Sequence, residues 1–269
     1  MQPYVLQHAA WQVPAFELEE FAPRQATYCL CIPVINEGER IRRELRRLSS
    51  AGLSSLVDVV IADGGSTDGS LDPGFLRDAG VRALLRKTGT GRFGAQVRMA
   101  LAWALEQDYQ GIILIDGNDK DDPAAIPQFI EKLEVGFDHV QGSRFIRGGL
   151  GVNTPPMRHY AVRCVHAPLV SLFAHTIYTD TTNGFRAYSA TFLLDDRVQP
   201  FRDEFVGYEI HYYLAVRAPR LGFRVAEVPV VREYPKTGPV PTTISPIKGA
   251  AALLWSTVKA CVGTYNPRG

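Results

Sequence analysis

The strongest constraint in this chain is the stretch GIILIDGNDKDDP at Gly111–Pro123, where an apolar run breaks abruptly into carboxylates. Ile112 to Ile115 are bulky or β-branched and bounded by glycines, the pattern of a strand buried on both faces. Asp116 then falls at the strand's carboxyl end, the edge where open α/β sheets bind ligands. Acidic side chains gathered there suit a hard divalent cation, and such a cation most often neutralises substrate phosphates. Asp122 followed by Pro123 has the form of a helix N-cap and its first helical residue. The acidic run is therefore expected in a strand-to-helix turn. A plain polar turn with capping aspartates would read the same way, so this stretch alone leaves both readings open.

The 269 residues fit one large α/β domain, with or without an appendage. A formal net charge of +1 argues against a nucleic-acid binder driven by bulk electrostatics. Cys29, Cys31, Cys164 and Cys261 form no C-x-x-C pair, so a reducing cytosol is the simplest compartment. Cys29 and Cys31 are two apart in an expected strand and should share a face in the core. No basic-then-apolar leader opens the chain, and no apolar run approaches the roughly 18–20 residues that span a bilayer. The expected organisation is an irregular N-terminal arm over 1–26, a main domain over 27–245, and a C-terminal helix and tail over 246–269.

Strands are expected at 28–34, 57–62, 81–86 and 139–142, with helices over 39–50, from about Val97 to Leu105, and over 124–134. That alternation predicts a mostly parallel sheet with helices on both faces. Its carboxyl-edge turns carry Glu37, Asp63, Asp116 with Asn118, and Arg144. A basic, Gly-rich loop, Lys87 to Gly94, opens the helix after the third strand and includes Arg92. Such a loop can hold an anion on free N–H groups, although it matches neither G-x-x-x-x-G-K-[ST] nor G-x-G-x-x-G. Further on, 146–157 reads as a loop, 158–174 and 204–221 as helices, and 223–231 as a strand. Residues 232–245, with three prolines, read as a lid, and 246–262 as a helix fit for core or dimer packing rather than a membrane surface.

Ile32-Pro33-Val34-Ile35-Asn36-Glu37, Asp63-Gly64-Gly65-Ser66-Thr67-Asp68-Gly69 and Asp116-Gly117-Asn118 together resemble family 2 glycosyltransferases of the GT-A fold. Gly142-Ser143-Arg144-Phe145, Asn183 to Ser189 and Leu221 to Val230 are similar to the dolichyl-phosphate mannosyltransferase, or polyprenyl-phosphate glycosyltransferase, branch. The resemblance spans about 28–245. It implies a Rossmann-like nucleotide-diphospho-sugar transferase fold and inverting transfer of a hexose from a UDP- or GDP-sugar. A divalent cation, Mg²⁺ or Mn²⁺, would act as Lewis acid at Asp116 and Asn118. Pro33, Ile35, Glu37, Asp63, Arg92, Asp116, Gly117, Asn118, Arg232 and Lys236 would meet the donor. Arg144, Arg158 and Arg186 would face an acceptor such as a polyprenyl phosphate. Asp116, Glu209 and Asp180 are the catalytic candidates. A cytoplasmic protein, peripheral at the inner membrane face or homodimeric, would fit that role.

The chain departs from the family at three points. Asn118 stands where the second metal carboxylate is usual; an amide oxygen is a legitimate hard ligand but carries no charge. The run Gly207-Tyr208-Glu209-Ile210-His211 replaces a Glu-Asp pair that holds the general base, and the membrane anchor common in the branch is missing. A non-catalytic sugar-nucleotide binder or scaffold is the alternative these departures motivate. A nucleotidyltransferase would instead show a Gly-rich basic loop after the first strand, where this chain has Asn36-Glu37.

Overall fold

The computed structural model describes residues 1–236 and 248–267. The run of β-branched and bulky residues at Tyr28–Val34 forms β3; β1 (Gln2–Tyr4) and β2 (Phe16–Glu20) precede it. Then follow α1 (Glu39–Ser50), β4 (Asp58–Asp63), α2 (Pro73–Asp78), β5 (Val81–Lys87), α3 (Phe93–Glu106) and β6 (Gly111–Leu114). The chain continues through α4 (Ile126–Glu134), β7 (His139–Ser143), β8 (Leu150–Val152), α5 (Pro156–Ala161) and α6 (Ala167–Ala174). It ends with β9 (Arg186–Ser189), α7 (Ala190–Leu194), α8 (Glu209–Arg220), β10 (Val225–Pro229), β11 (Val231–Glu233) and α9 (Lys248–Cys261).

One sheet of nine strands runs in the order β1-β2-β5-β4-β3-β6-β9-β7-β10. Its centre, β5-β4-β3-β6, is parallel, as is the β7–β10 pair. Strand β9 runs antiparallel between β6 and β7. The period of two divides the strands between two cores. Cys29, Cys31, Val60, Ala62, Leu85, Ile112 and Leu114 face α3 and α8. Leu30, Ile32, Val34, Val59, Ile61, Leu84, Ile113 and Ile115 face α1 and α4. Both faces being covered is why β6 reads as a continuous apolar run rather than an alternating one. Cys29 and Cys31 do share the first face, with their sulfurs 3.5 Å apart.

Several local expectations change. Residues 1–26 are not irregular: β2 pairs antiparallel with β5 and carries β1 on its outer side. Phe16 turns inward at 3% exposure, so a short alternation between the prolines is enough to extend the sheet. The 146–157 loop contains β8, which pairs in parallel with β11. The expected 223–231 strand is two strands: β10 pairs with β7 as far as Pro229 opposite Ser143, closed by the Val230 N–H on Ser143 O at 3.0 Å, and β11 then pairs with β8. The helix expected over 158–174 starts at Pro156 and is interrupted by a π-turn at Val162–His166. The helix expected from 204 starts at Glu209, after a turn at Gly207. Of the lid expected over 232–245, Arg232 and Glu233 instead lie in β11, paired with β8, and Tyr234 is buried; 237–245 fall outside the described residues, as does the start of the helix expected from 246.

Candidate active site

Three turns at the carboxyl edge of the sheet are stitched together. The Gly64 N–H donates to Val34 O at 2.8 Å, and the Gly117 N–H to Pro33 O at 3.4 Å. Asn36, left-handed at φ 49°, donates its N–H to Ser66 Oγ at 3.0 Å and accepts the Thr67 N–H on its side chain at 2.8 Å. From α3, Gln96 Nε2 donates to both Val34 O and Ala62 O, at 2.9 and 3.0 Å. The Asp116 turn presses against β3 so closely that a Cβ on Gly117 would lie 2.8 Å from Val34 Cγ2. Only glycine fits there without moving the strand.

Within this edge the expected nucleoside-pocket residues differ in availability. Asp63 is fully buried. Its Oδ1 accepts the Gly65 and Ser66 N–H groups at 3.0 and 2.7 Å, and its Oδ2 accepts Arg86 Nε at 3.0 Å. Glu37 pairs with Arg40 at 2.7 Å, and Ile35 is 45% exposed. The backbone of Arg92 begins α3, and its side chain is exposed.

Asp116 lies just past β6 with its side chain 22% exposed. Its Oδ2 accepts Arg232 Nη2 at 2.9 Å, while Arg232 Nη1 reaches Asp121. Burial pushes the Asp116 carboxyl up, but Arg232, then Lys120 and Arg186, hold it below the ordinary carboxylate range. Asp121 goes the other way: burial raises it to about 6 against the pull of Arg232, with Asp116 adding to the rise. The oxygen of the Asn118 side chain is buried with no hydrogen-bond partner. No group of three His, Cys, Asp or Glu side chains able to hold a metal exists among the described residues.

Beside this turn sits a cationic cluster centred on Tyr234, a residue the sequence reading missed. Arg144 Nη1 and Arg158 Nη1 both donate to Tyr234 Oη, at 3.2 and 3.3 Å. Lys120, Arg158 and Arg232 lie 5.6, 5.6 and 5.8 Å from the centre of its ring. Burial would raise this phenol, yet Arg232, Arg144 and Arg158 together bring it below its ordinary value. Arg144 in turn is gripped by Asp180: Nε to Oδ2 at 2.6 Å and Nη2 to Oδ1 at 2.9 Å. Both side chains of that pair are at most 1% exposed. The available signal was the spacing: Arg232 and Tyr234 are two apart and both buried, with exposed Glu233 between them.

Arg186 and Glu209 have other partners than expected. Arg186 is buried and spends its guanidinium on the carbonyls of Thr181, Asn183 and His211, tying the 181–183 turn to α8. The carboxylate of Glu209 accepts the Gly207 N–H at 2.5 Å at the start of α8. No hydrogen bond or ion pair joins Glu209 to Asp116 among the described residues. Lys236 is exposed at the end of the described segment.

Glu44 was also missed, hidden among Ile41, Leu45 and Leu48 on the inner face of α1. It is fully buried; Oε2 accepts the Asp119 N–H at 3.0 Å and Oε1 has no partner. Burial lifts its carboxyl well above the usual 4.5; the Asp119 N–H opposes this, and Asp121, Asp119 and Asp116 reinforce it. A carboxyl whose pKa is raised on folding holds its proton more tightly when folded. Its contribution to stability is full at acid pH and is lost as pH climbs from the unfolded value through the folded one. Glu44→Gln is expected to flatten that decline and to be more stable than wild type on the alkaline side. Urea midpoints measured across pH check this.

Residues 29–196 match the family described as "Glycosyl transferase family 2". The chain belongs to that family. Among curated relatives of this family 2 glycosyltransferase is undecaprenyl-phosphate mannosyltransferase of Micrococcus luteus, 31% identical over 202 residues, covering 74% of this chain and 80% of the relative. Another is polyprenol monophosphomannose synthase of Mycolicibacterium smegmatis, 27% identical over 211 residues and covering 77% of each chain. These place the glycosyltransferase near the polyprenyl-phosphate branch. Glucosyl-3-phosphoglycerate synthase of Mycobacterium tuberculosis, solved with Mn²⁺, UDP and phosphoglyceric acid, shares the fold. Its TM-score is 0.62 at 17% identity, covering 90% of this chain and 80% of that one. The GT-A architecture expected from the sequence is therefore the one observed.

Proposed function

We propose that this chain transfers a hexose, with inversion, from a UDP- or GDP-sugar to a phosphate monoester of the polyprenyl-phosphate class. The observation that carries the reading is the convergence of Arg144, Arg158 and Arg232 on Tyr234, next to the Asp116 turn. One anionic group, the donor diphosphate, would sit at the sheet edge. The second, the acceptor phosphate, would meet Arg158, with the buried Arg144 that Asp180 positions adding its charge behind Tyr234. The Micrococcus undecaprenyl-phosphate mannosyltransferase and the Mycolicibacterium polyprenol monophosphomannose synthase, similar to this chain, support the acceptor class.

The side chains fit a divalent cation. Asn118 offers a buried oxygen with no other partner, and the depressed pKa keeps Asp116 ionised. Two protein oxygens with the rest supplied by phosphate and water is a usual Mg²⁺ set. A bound ion would supply Lewis-acid stabilisation of the departing diphosphate. Arg232 adds a fixed positive charge on the same carboxylate. An acceptor phosphate is already ionised near neutral pH, its second pKa being about 6. It needs positioning by Arg144 and Arg158 rather than a base, which accords with Glu209 being occupied at Gly207.

Calorimetry with UDP and with GDP, each with and without Mn²⁺, tests the reading; absence of any metal-promoted nucleotide binding would defeat it. In the same titrations Asn118→Asp is expected to tighten Mn²⁺ binding about tenfold, by adding a charge where only an amide dipole stands. Transfer should be kept or improved in that variant.

A further inference from the structure

We propose that Glu227 is a positioning residue for the transfer: its carboxylate fixes the Thr179–Asp180 turn, and through Asp180 it sets Arg144 behind Tyr234, beside the proposed acceptor phosphate. The proposal deepens the function proposed above and rests on it for the acceptor. Its geometry stands apart from that reading. Glu227 lies in the middle of β10, opposite Gln141 of β7. Strand β10 ends the sheet, where a charged side chain ordinarily stays in water and guards the edge. Here the carboxylate turns to the protein instead. Oε1 accepts the Thr179 and Asp180 N–H groups at 2.9 and 3.1 Å, and Oε2 accepts the Thr179 hydroxyl at 2.8 Å. All three partners are donors from two consecutive residues, so one carboxylate holds one turn.

The turn needs such a clamp. Thr179 and Asp180 lie between α6 and β9 in neither helix nor strand, so no ladder satisfies their N–H groups. Asp180 is fully buried, and losing Glu227 would strip its N–H of that bond. Two routes lead from Arg144 back to the same carboxylate. Along the first, Asp180 takes Nε and Nη2 of Arg144 at 2.6 and 2.9 Å. Along the second, Thr179 Oγ1 lies 2.5 Å from Ser143 Oγ, and Ser143 Oγ accepts the Phe145 N–H at 3.1 Å. Since Thr179 gives its proton to Glu227, the Ser143 hydroxyl donates to Thr179. The donors are then aligned from Phe145 through Ser143 and Thr179 onto Glu227, bracketing Arg144 on both sides in sequence. Arg144 Nη1 in turn donates to Tyr234 Oη at 3.2 Å. No hydrogen bond or ion pair joins Glu227 to Arg144 itself among the described residues, so Glu227 acts through the turn.

The test compares Glu227→Ala and Glu227→Gln with wild type in the full chain. The Arg144 Nε–H is followed by nitrogen-15 NMR, its signal identified by its loss in Arg144→Lys. Its side chain is 1% exposed and bonded to Asp180, so in wild type it should exchange slowly with water. Glu227→Ala should speed that exchange at least about tenfold while the β6 amides exchange as in wild type. It should also raise KM for farnesyl phosphate, a short polyprenyl phosphate, at least about tenfold, and leave KM for GDP-mannose or UDP-glucose unchanged. Glu227→Gln keeps an oxygen for the two N–H groups and should shift both readings in the same direction, by about threefold. A merely structural residue would lower the folded fraction, and so kcat alone, with both KM values as in wild type; that result overturns the proposal, as does unchanged Arg144 exchange. Should Glu227→Ala fail to fold, the Gln variant decides, and its equality with wild type overturns the proposal. Should wild type move no sugar to farnesyl phosphate, the acceptor reading fails by itself, and the Arg144 exchange rate still decides whether Glu227 positions that side chain.

Discussion

Asp116→Ala should lower kcat/KM by at least about three orders of magnitude while leaving nucleoside contacts in place. The carboxylate is the ionised oxygen at the end of β6, and Asn118 beside it brings no charge to compensate. Arg232 would keep its contact with Asp121, so the turn should hold its shape. The loss should therefore appear in the rate and in Mn²⁺ affinity rather than in folding. A radiolabelled-sugar transfer assay and the urea midpoint of the same sample separate the two. Retention of more than about a tenth of wild-type activity would mean that neither ion nor charge at this position stabilises the leaving group.

The largest expected effect on stability belongs to Asp180→Ala, about 3–5 kcal/mol of destabilisation. The guanidinium of Arg144 is nearly inaccessible to water, and the two Asp180 oxygens are its anionic partners. Removing the carboxylate strands a buried cation whose remaining contacts, Tyr234 and Thr182, are neutral hydroxyls. Equilibrium denaturation in urea measures the loss. Replacing both members, Arg144→Met with Asp180→Leu, should recover most of the stability because no unpaired charge remains. Transfer should not recover, since Tyr234 and the proposed acceptor phosphate beside it then lack the charge of Arg144. That contrast distinguishes a structural ion pair from one that also binds substrate.

Much of the scaffold was legible because both faces of the sheet are covered. Buried strands then read as largely apolar runs, and β3, β4 and β6 each lead to a recognisable acid, Glu37, Asp63 and Asp116. Helix α1 was bounded correctly at Glu39 and Ser50, where a clean apolar stripe meets a glycine. The same stripe concealed Glu44, since a single carboxylate between apolar positions looks like a neighbouring polar face. The N-terminal strands escaped notice because an edge strand needs only a few inward residues, and prolines on either side suggest a loop. Convergence of the Glu37, Asp63 and Asp116 turns followed from topology. The Tyr234 cluster did not, because it joins β7, α5 and the segment after β11 across long separations in sequence. Side-chain availability was equally hidden: Asp63, Asp180 and Arg186 are polar in the sequence but already saturated by neighbours in the fold.

Strand β11 is latched to the turn after Asp116 at three points. The Asp122 N–H meets Val231 O at 2.9 Å, the Glu233 N–H meets Lys120 O at 2.7 Å, and the Arg232 guanidinium spans Asp116 and Asp121. Segments more than a hundred positions apart thus share one small cooperative unit, and opening either one breaks the other's amide bonds. Any displacement of the chain just before residue 237 will be felt at the carboxylate of Asp116, giving a distant part of the sequence mechanical authority over the proposed sugar-transfer centre.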